Sequence, residues 1–309
     1  MHEPFDKYEK NMNDKKQWVN RHEHPGFLKN ALAISGSVTP RVFKKVLFMV
    51  GYSSFISCLY YFIPSISLPI GPFEYAGLMM GLILVFRVNA GYDRWWEARK
   101  IWGNVVNQSR NLAIIISNYP STRNMNWSNK VTNYIAALPY LMKNNLRGDA
   151  SVEGIRHLVD TPLLSILEQS EHKPNALSSI IAQELNRVRL SNELDSFSFL
   201  QAEEKRALIL DSQGACERIL KTPMPFVMAV KSRRFIFSFL LALPFALVTV
   251  SLLISPVISG LVAYALFSLD QIGIELQNPF SEERLSHLPL NDICETIEKN
   301  IIEIQKITQ

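Results

Sequence analysis

Glu74, Leu78, Leu82 and Phe86 recur at every fourth residue, just ahead of a crowd of polar and charged side chains: Arg87, Asn89, Tyr92, Asp93, Arg94, Glu97, Arg99 and Lys100. In a helix that spacing puts the four on one slowly drifting stripe, with about 6 Å of rise per step. Three apolar side chains and one carboxylate could line a narrow path for ions, because an ionisable group at the edge of lipid marks an ion path or a buried partner. They could equally be a lipid-facing or core stripe, as on many apolar helices. Enzymatic chemistry has little support. The sequence holds no Gly-rich phosphate loop, no G-x-S-x-G and no H-E-x-x-H, and its histidines are scattered. His22 and His24 read as a solvated pair rather than metal ligands, and His157 and His172 as surface or capping residues. Neither an enzyme nor a cofactor is expected.

The elements that must carry the stripe are apolar runs. Residues 47–63 are apolar and follow Arg41, Lys44 and Lys45; a turn with three prolines leads to Glu74, and residues 75–92 run back toward Arg94, Arg99 and Lys100. No Pro or turn cluster interrupts residues 75–103, so this span is predicted to leave lipid as one helix and continue into water. Residues 235–254 follow Lys231, Arg233 and Arg234, and a shorter run, 257–269, is expected to return. About 20 apolar residues cross a bilayer, so the last run crosses only with its polar ends included. Basic flanks face the cytosol. Four spans with both termini cytosolic are therefore expected.

Between 104 and 223 the composition becomes that of a water-soluble helical domain. Apolar residues recur at three- and four-residue spacing in 131–143, 154–169, 176–188 and 203–220, with loop-forming separators and no alternating strand pattern. Near the end, Ile293, Ile297, Ile301 and Ile304 form a stripe suited to packing against that domain. The resulting division is 1–40, an N-terminal cytosolic arm; 41–103, a transmembrane hairpin with the stripe; 104–230, the soluble helices; 231–270, a second hairpin; and 271–309, a C-terminal cytosolic segment.

With 309 residues, 48% of them hydrophobic, and a formal charge of +4, the chain suits a mixed membrane and cytosolic protein, and its short basic pairs argue against nucleic acid. Three widely spaced cysteines, Cys58, Cys216 and Cys294, support neither a disulfide framework nor a zinc site. The polar N-terminus is no secretory signal, so insertion relies on the internal spans.

The run FRVNAGYDRWWEARKIWG at 86–103 resembles the signature of the bestrophin family in its bacterial branch, an R-x-N-x-x-Y-x-R-W-W-E-x-R pattern. Two further runs match, GACERILKTPMPF at 214–226 and IGIELQNPFSEERLSHLPL at 272–290, so the likeness covers nearly the whole chain after residue 25. It implies an all-α membrane protein with four transmembrane helices per subunit and a large cytosolic helical domain, assembled as a symmetric homopentamer around a central pore. The arm would wrap a neighbouring subunit, which would account for Trp18 and Phe27 in a polar segment.

The resemblance places the pore neck on Leu78, Leu82 and Phe86, the stripe already read from spacing. Apolar rings there would gate by dewetting. Glu74 would form an outer ring favouring cations, unless it turns aside to cap its helix. Asn89, Arg94, Trp95, Trp96 and Glu97 would anchor the pore helix at the membrane surface and in the subunit interface. A cytosolic aperture falls near Phe197, a residue that could equally belong to an ordinary core. Animal relatives bind calcium in an acidic run after N-P-F; here only Glu282 and Glu283 remain and Arg284 intrudes, so that clasp is expected to be absent. Glu275, Glu282 and Glu283 should instead pair with basic residues of the soluble domain. The implied function is passive passage of small monovalent ions, cations such as Na+ and K+ before chloride, in a bacterial inner membrane. Other partners are membrane lipids. A membrane-anchored scaffold without conductance is the reading of another class.

Overall fold

A computed structural model describes Gly26 and residues 31–34, 36–121 and 124–308. Trp18, Phe27 and the His22–His24 pair lie outside the described residues. All regular structure among the described residues is helical. The helices are α1 (Thr39–Phe62), α2 (Gly71–Asn118), α3 (Met125–Arg147), α4 (Thr161–Gln169), α5 (Lys173–Leu190), α6 (Ser196–Lys221), α7 (Phe226–Leu247), α8 (Ser255–Glu275) and α9 (Leu290–Thr308). Among the described residues α1, α2 and α8 are long and apolar enough to cross a membrane.

The 48 residues of α2 make a rod about 72 Å long, more than twice the apolar thickness of a bilayer. It runs past Gly103 to Asn118, so the change of composition at 104 is not a helix boundary. The reason lies in its buried seam. Met80, Leu84, Arg87, Gly91, Ala98, Trp102, Val105, Ser109, Leu112 and Ile116 follow one another at steps of three, four or seven, a single face whose chemistry changes while its spacing does not. In its second half α2 packs on α6 and α9, and α9 also lies on α3. Ile297 and Ile301 of α9 are fully buried in that core.

The run expected to cross at 235–254 is displaced. Its helix, α7, begins at Phe226, directly after Pro225, and ends at Leu247, carrying Lys231, Arg233 and Arg234 in its first half. Those charges keep α7 out of the set of apolar spans. Residues 248–254 are turns rather than helix. Pro244 has no N–H to give the preceding turn, and Pro256, in the first turn of α8, is preset for a helix start. Conversely α8 is longer than its apolar run: 21 residues, about 31 Å, with Asp270, Gln271 and Glu275 buried in its last turns. The helix expected over 154–169 also divides, into a 3-10 turn at Glu153–Ile155 and α4, because Asp160 caps the Leu163 N–H and Pro162 opens the helix.

The membrane helices meet through small side chains. α1 packs along α8, where Ser53 Oγ reaches the hydroxyls of Ser255 and Ser259 at 3.3 and 3.0 Å. A Cβ at Gly260 would lie 2.6 Å from Val50 Cγ2, so glycine permits the close approach. Met49, Met80, Leu84, Ile236, Leu240, Ala263 and Leu266 close the core among α1, α2, α7 and α8. Gly260→Ala is expected to cost about 1–3 kcal/mol, since the branched Val50 has no free rotamer to yield. A lower thermal-unfolding midpoint in detergent would register it; an unchanged midpoint would mean that α1 and α8 separate without cost.

Candidate ion pathway and its anchor

α2 has two faces. Two residues away from the buried seam the helix has turned by about 200°, and there Tyr75, Leu78, Leu82, Val85, Asn89, Tyr92, Trp96 and Arg99 are all exposed. The stripe of Glu74, Leu78, Leu82 and Phe86 lies on this uncovered side, the last three being 76%, 57% and 61% exposed. From Glu74 to Phe86 it climbs about 18 Å. Glu74 stands in the first turn of α2, and no side chain caps that helix. The carboxylate is exposed rather than folded back onto the helix start.

Just inside the stripe, the buried side of α2 carries Arg87, 2% exposed. Its Nη1 donates to Asp270 Oδ1 on α8, and Arg233 Nε on α7 donates to Asp270 Oδ2 at 3.3 Å. Five residues on, Glu275 accepts from Arg41 Nη1 of α1, from Gln271 Nε2 at 2.6 Å and from the Leu285 N–H at 3.0 Å. Arg41 Nη2 also donates to the Glu283 carbonyl at 2.8 Å. The sequence reading expected Glu275 to pair with the soluble domain; its partner instead opens α1. Glu282 does pair there, with Arg147 of α3 at 2.5 Å. For Glu283 the described residues offer no side-chain partner.

The anchor residues Arg94 to Glu97 begin two turns further along α2. Arg94 Nη1 donates to the Thr222 carbonyl at 2.7 Å, Nη2 to the Ile219 carbonyl, and Nε to the Gln277 carbonyl at 3.4 Å. These carbonyls belong to the ends of α6 and α8, where helices expose unpaired oxygens and favour a cation. Trp95 Nε1 donates to the Ser286 carbonyl at 2.6 Å, and Glu97 accepts from Arg218 Nη2 at 2.7 Å. Tyr92, Trp95 and Trp96 stack with ring centroids 6.1 to 6.4 Å apart. Asn89 is exposed on the stripe side. The three sequence runs that carried the resemblance are thus one contact, with 86–103 reading backbone oxygens of 214–226 and 272–290.

Phe197 opens α6, where Asp195 accepts from the N–H groups of Phe197 and Ser198 at 2.9 and 3.1 Å. The Ser198 hydroxyl and these backbone donors hold the Asp195 carboxyl below the usual carboxylate range. Phe197 is 82% exposed, so it is no core residue of this chain; its neighbour Phe199 is half-buried, packed against the core with the Arg189 guanidinium over its ring. Among the described residues no group of three His, Cys, Asp or Glu side chains converges, and Glu282 is engaged by Arg147. Burial pushes the Cys216 and Cys294 thiols up to about 12, which keeps both protonated and poor nucleophiles.

A family model described as bacterial/fungal bestrophin protein matches residues 17–303. The chain belongs to the bacterial/fungal bestrophin family. It is 31% identical over 281 residues to a voltage-dependent anion channel-forming protein of Nostoc sp., covering 90% of this chain and 91% of that protein. A voltage-dependent anion channel-forming protein of Escherichia coli K12 is 28% identical over 281 residues, covering 90% of this chain and 91% of its own. Among solved structures, a bestrophin homologue from Klebsiella pneumoniae superposes with a TM-score of 0.79 at 27% identity, covering 86% of this chain and 98% of that one.

The clamp gives two predictions. Asp270→Asn leaves Arg87 buried beside a neutral amide and is expected to cost about 3–5 kcal/mol, seen as a fall in the unfolding midpoint. Arg94→Lys should behave nearly as badly as Arg94→Ala, because one ammonium cannot reach carbonyls on two helix ends. A lysine variant as stable as wild type would mean that charge alone serves at this position.

Proposed function

We propose that the chain is one subunit of a homopentameric ion channel in a bacterial inner membrane, with α2 of each copy facing the axis. In this reading α7 crosses beside α8 as the fourth span, both termini are cytosolic, and α3 to α6 with α9 form the cytosolic vestibule. The observation that carries it is the uncovered side of α2: a stripe of Glu74, Leu78, Leu82 and Phe86 on a helix whose opposite side carries the buried seam from Met80 onward. One copy with so few spans encloses no pore, whereas several copies around an axis do. Leu78, Leu82 and Phe86 then stack as apolar rings, and a narrow apolar constriction empties of water until it widens. Phe197 serves as a second constriction at the far end of the vestibule.

For the ion, the exposed and uncapped Glu74 favours monovalent cations such as Na+ and K+, since five carboxylates at the mouth attract cations within about a Debye length. A second reading, passage of anions such as chloride, draws on the names of the Nostoc and Escherichia coli relatives. A scaffold of the same architecture would carry no current.

Reversal potentials of purified protein in planar bilayers under a salt gradient separate these readings. Cation selectivity that collapses toward zero in Glu74→Gln is the expected result. Anion selectivity untouched by that change removes the carboxylate from the pathway and favours the second reading. Leu82→Ala, which widens the neck, should raise conductance; silence of both wild type and Leu82→Ala would leave the scaffold.

A further inference from the structure

Between α2 and α7 runs an apolar groove of about 390 Å³, bordered by Phe73, Ala76, Met79 and Ile83 on one side and Phe235 and Phe239 on the other. It opens at membrane depth, where water would find almost nothing to bond, so an apolar chain is its natural filling. One turn toward the charged end of α7 the chemistry reverses. Lys231 lies four residues before Phe235, and Arg234 four before Ser238, which also borders the groove, so both cations continue the same face of the helix. Both are exposed, and neither has a hydrogen-bond or ion-pair partner among the described residues. The nearby carboxylate, Asp270, is already shared by Arg87 and Arg233. A surplus of positive charge therefore stands at the mouth of an apolar trough, with exposed Phe226, Val227 and Met228 beside it.

We propose that an anionic phospholipid occupies this place, its acyl chain in the groove and its phosphate against Lys231 and Arg234. The chain and the head each find complementary chemistry about one helical turn apart. A zwitterionic lipid fills the trough equally well but leaves the cations uncompensated, so the site discriminates by headgroup charge. Placing the head in the inner leaflet rests on the orientation proposed above; binding itself needs no conduction. The lipid touches α2 at Met79 and Ile83, next in sequence to Leu78 and Leu82, so its occupancy bears on the position of the stripe.

The test uses the full-length protein in neutral detergent, titrated with dioleoylphosphatidylglycerol, with dioleoylphosphatidylcholine and with inorganic phosphate. Bound lipid is counted by native mass spectrometry, and the unfolding midpoint is followed in parallel. Phosphatidylglycerol is expected to bind at least about tenfold more tightly than phosphatidylcholine, since each surface cation contributes about 1 kcal/mol toward an anionic lipid. The double variant Lys231→Gln with Arg234→Gln should lose that preference while keeping its lipid-free midpoint. Ala76→Phe, which fills the groove from an exposed position, should weaken binding of both lipids. Equal phosphatidylglycerol binding by wild type and the double variant overturns the proposal, as does protection by inorganic phosphate equal to that by the lipid. A photo-crosslinker at Ala76 should capture lipid; capture of a second copy of the chain would mean that the groove is a subunit contact instead.

Discussion

Asp270 and Glu275 stand five residues apart near the end of α8, both buried, and a buried carboxylate is tolerable only with a cation beside it. That requirement reaches into α1, α2 and α7. Asp270 draws in Arg87 from α2 and Arg233 from α7, and Glu275 draws in Arg41 from α1. Away from this level the same helices touch mainly through apolar side chains and small residues, contacts that tolerate sliding by a turn. The ion pairs do not, because a slip by one turn would leave Arg87 buried without its carboxylate. The clamp therefore sets register, while the apolar core above it supplies area.

Register matters because Arg87 directly follows Phe86. With Arg87 turned inward and held, Phe86 and Leu82 are turned outward by the geometry of the helix, at fixed heights relative to α7 and α8. Arg94, two turns on, repeats the device with different chemistry, joining the ends of α6 and α8 through carbonyl oxygens. A cation that caps two helices at once ties α6 to α8 without any buried carboxylate. Trp95 extends the tie to Ser286, in the segment leading to α9.

Much of this was legible in the sequence, and the failures have physical causes. The stripe of Glu74, Leu78, Leu82 and Phe86 follows from spacing, and the all-helical character from periodicity, because both are local properties. The ion pairs were not legible: Arg87 and Asp270 lie 183 residues apart, and each alone reads as the charged border of a span. The continuation of α2 past Gly103 was written in Val105, Ser109, Leu112 and Ile116, but the shift to polar composition on the opposite side hid it. The misplaced end of α7 has the contrary cause. Residues 248–254 are as apolar as helix, and only the prolines at 244 and 256 record that the chain turns there. Phe197 shows the limit of composition: Phe is usually buried, yet here Phe199 packs half-buried against the core and Phe197 stays outside.

The uncovered side of α2 carries charge toward both ends and none from Tyr75 to Tyr92. Glu74 begins it, Asp93, Arg99 and Lys100 lie beyond Tyr92, and the intervening Leu78, Leu82 and Phe86 offer no fixed charge and no hydrogen bond to an ion. Dewetting of such a stretch opposes either sign of ion alike, because the cost is that of stripping hydration. Discrimination by sign must then arise at the charged ends, where the potential falls away within about a Debye length. In the proposed assembly the acidic Glu74 ring and the mixed ring of Asp93, Arg99 and Lys100 act at opposite ends, so the net preference would depend on which stands closer to the axis. That distance is governed by the tilt of α2, and tilt is held by the Arg87 and Arg94 contacts on its packed side. In the proposed channel, ion preference and stability of the clamp would in this way be properties of one helix, read from its two faces.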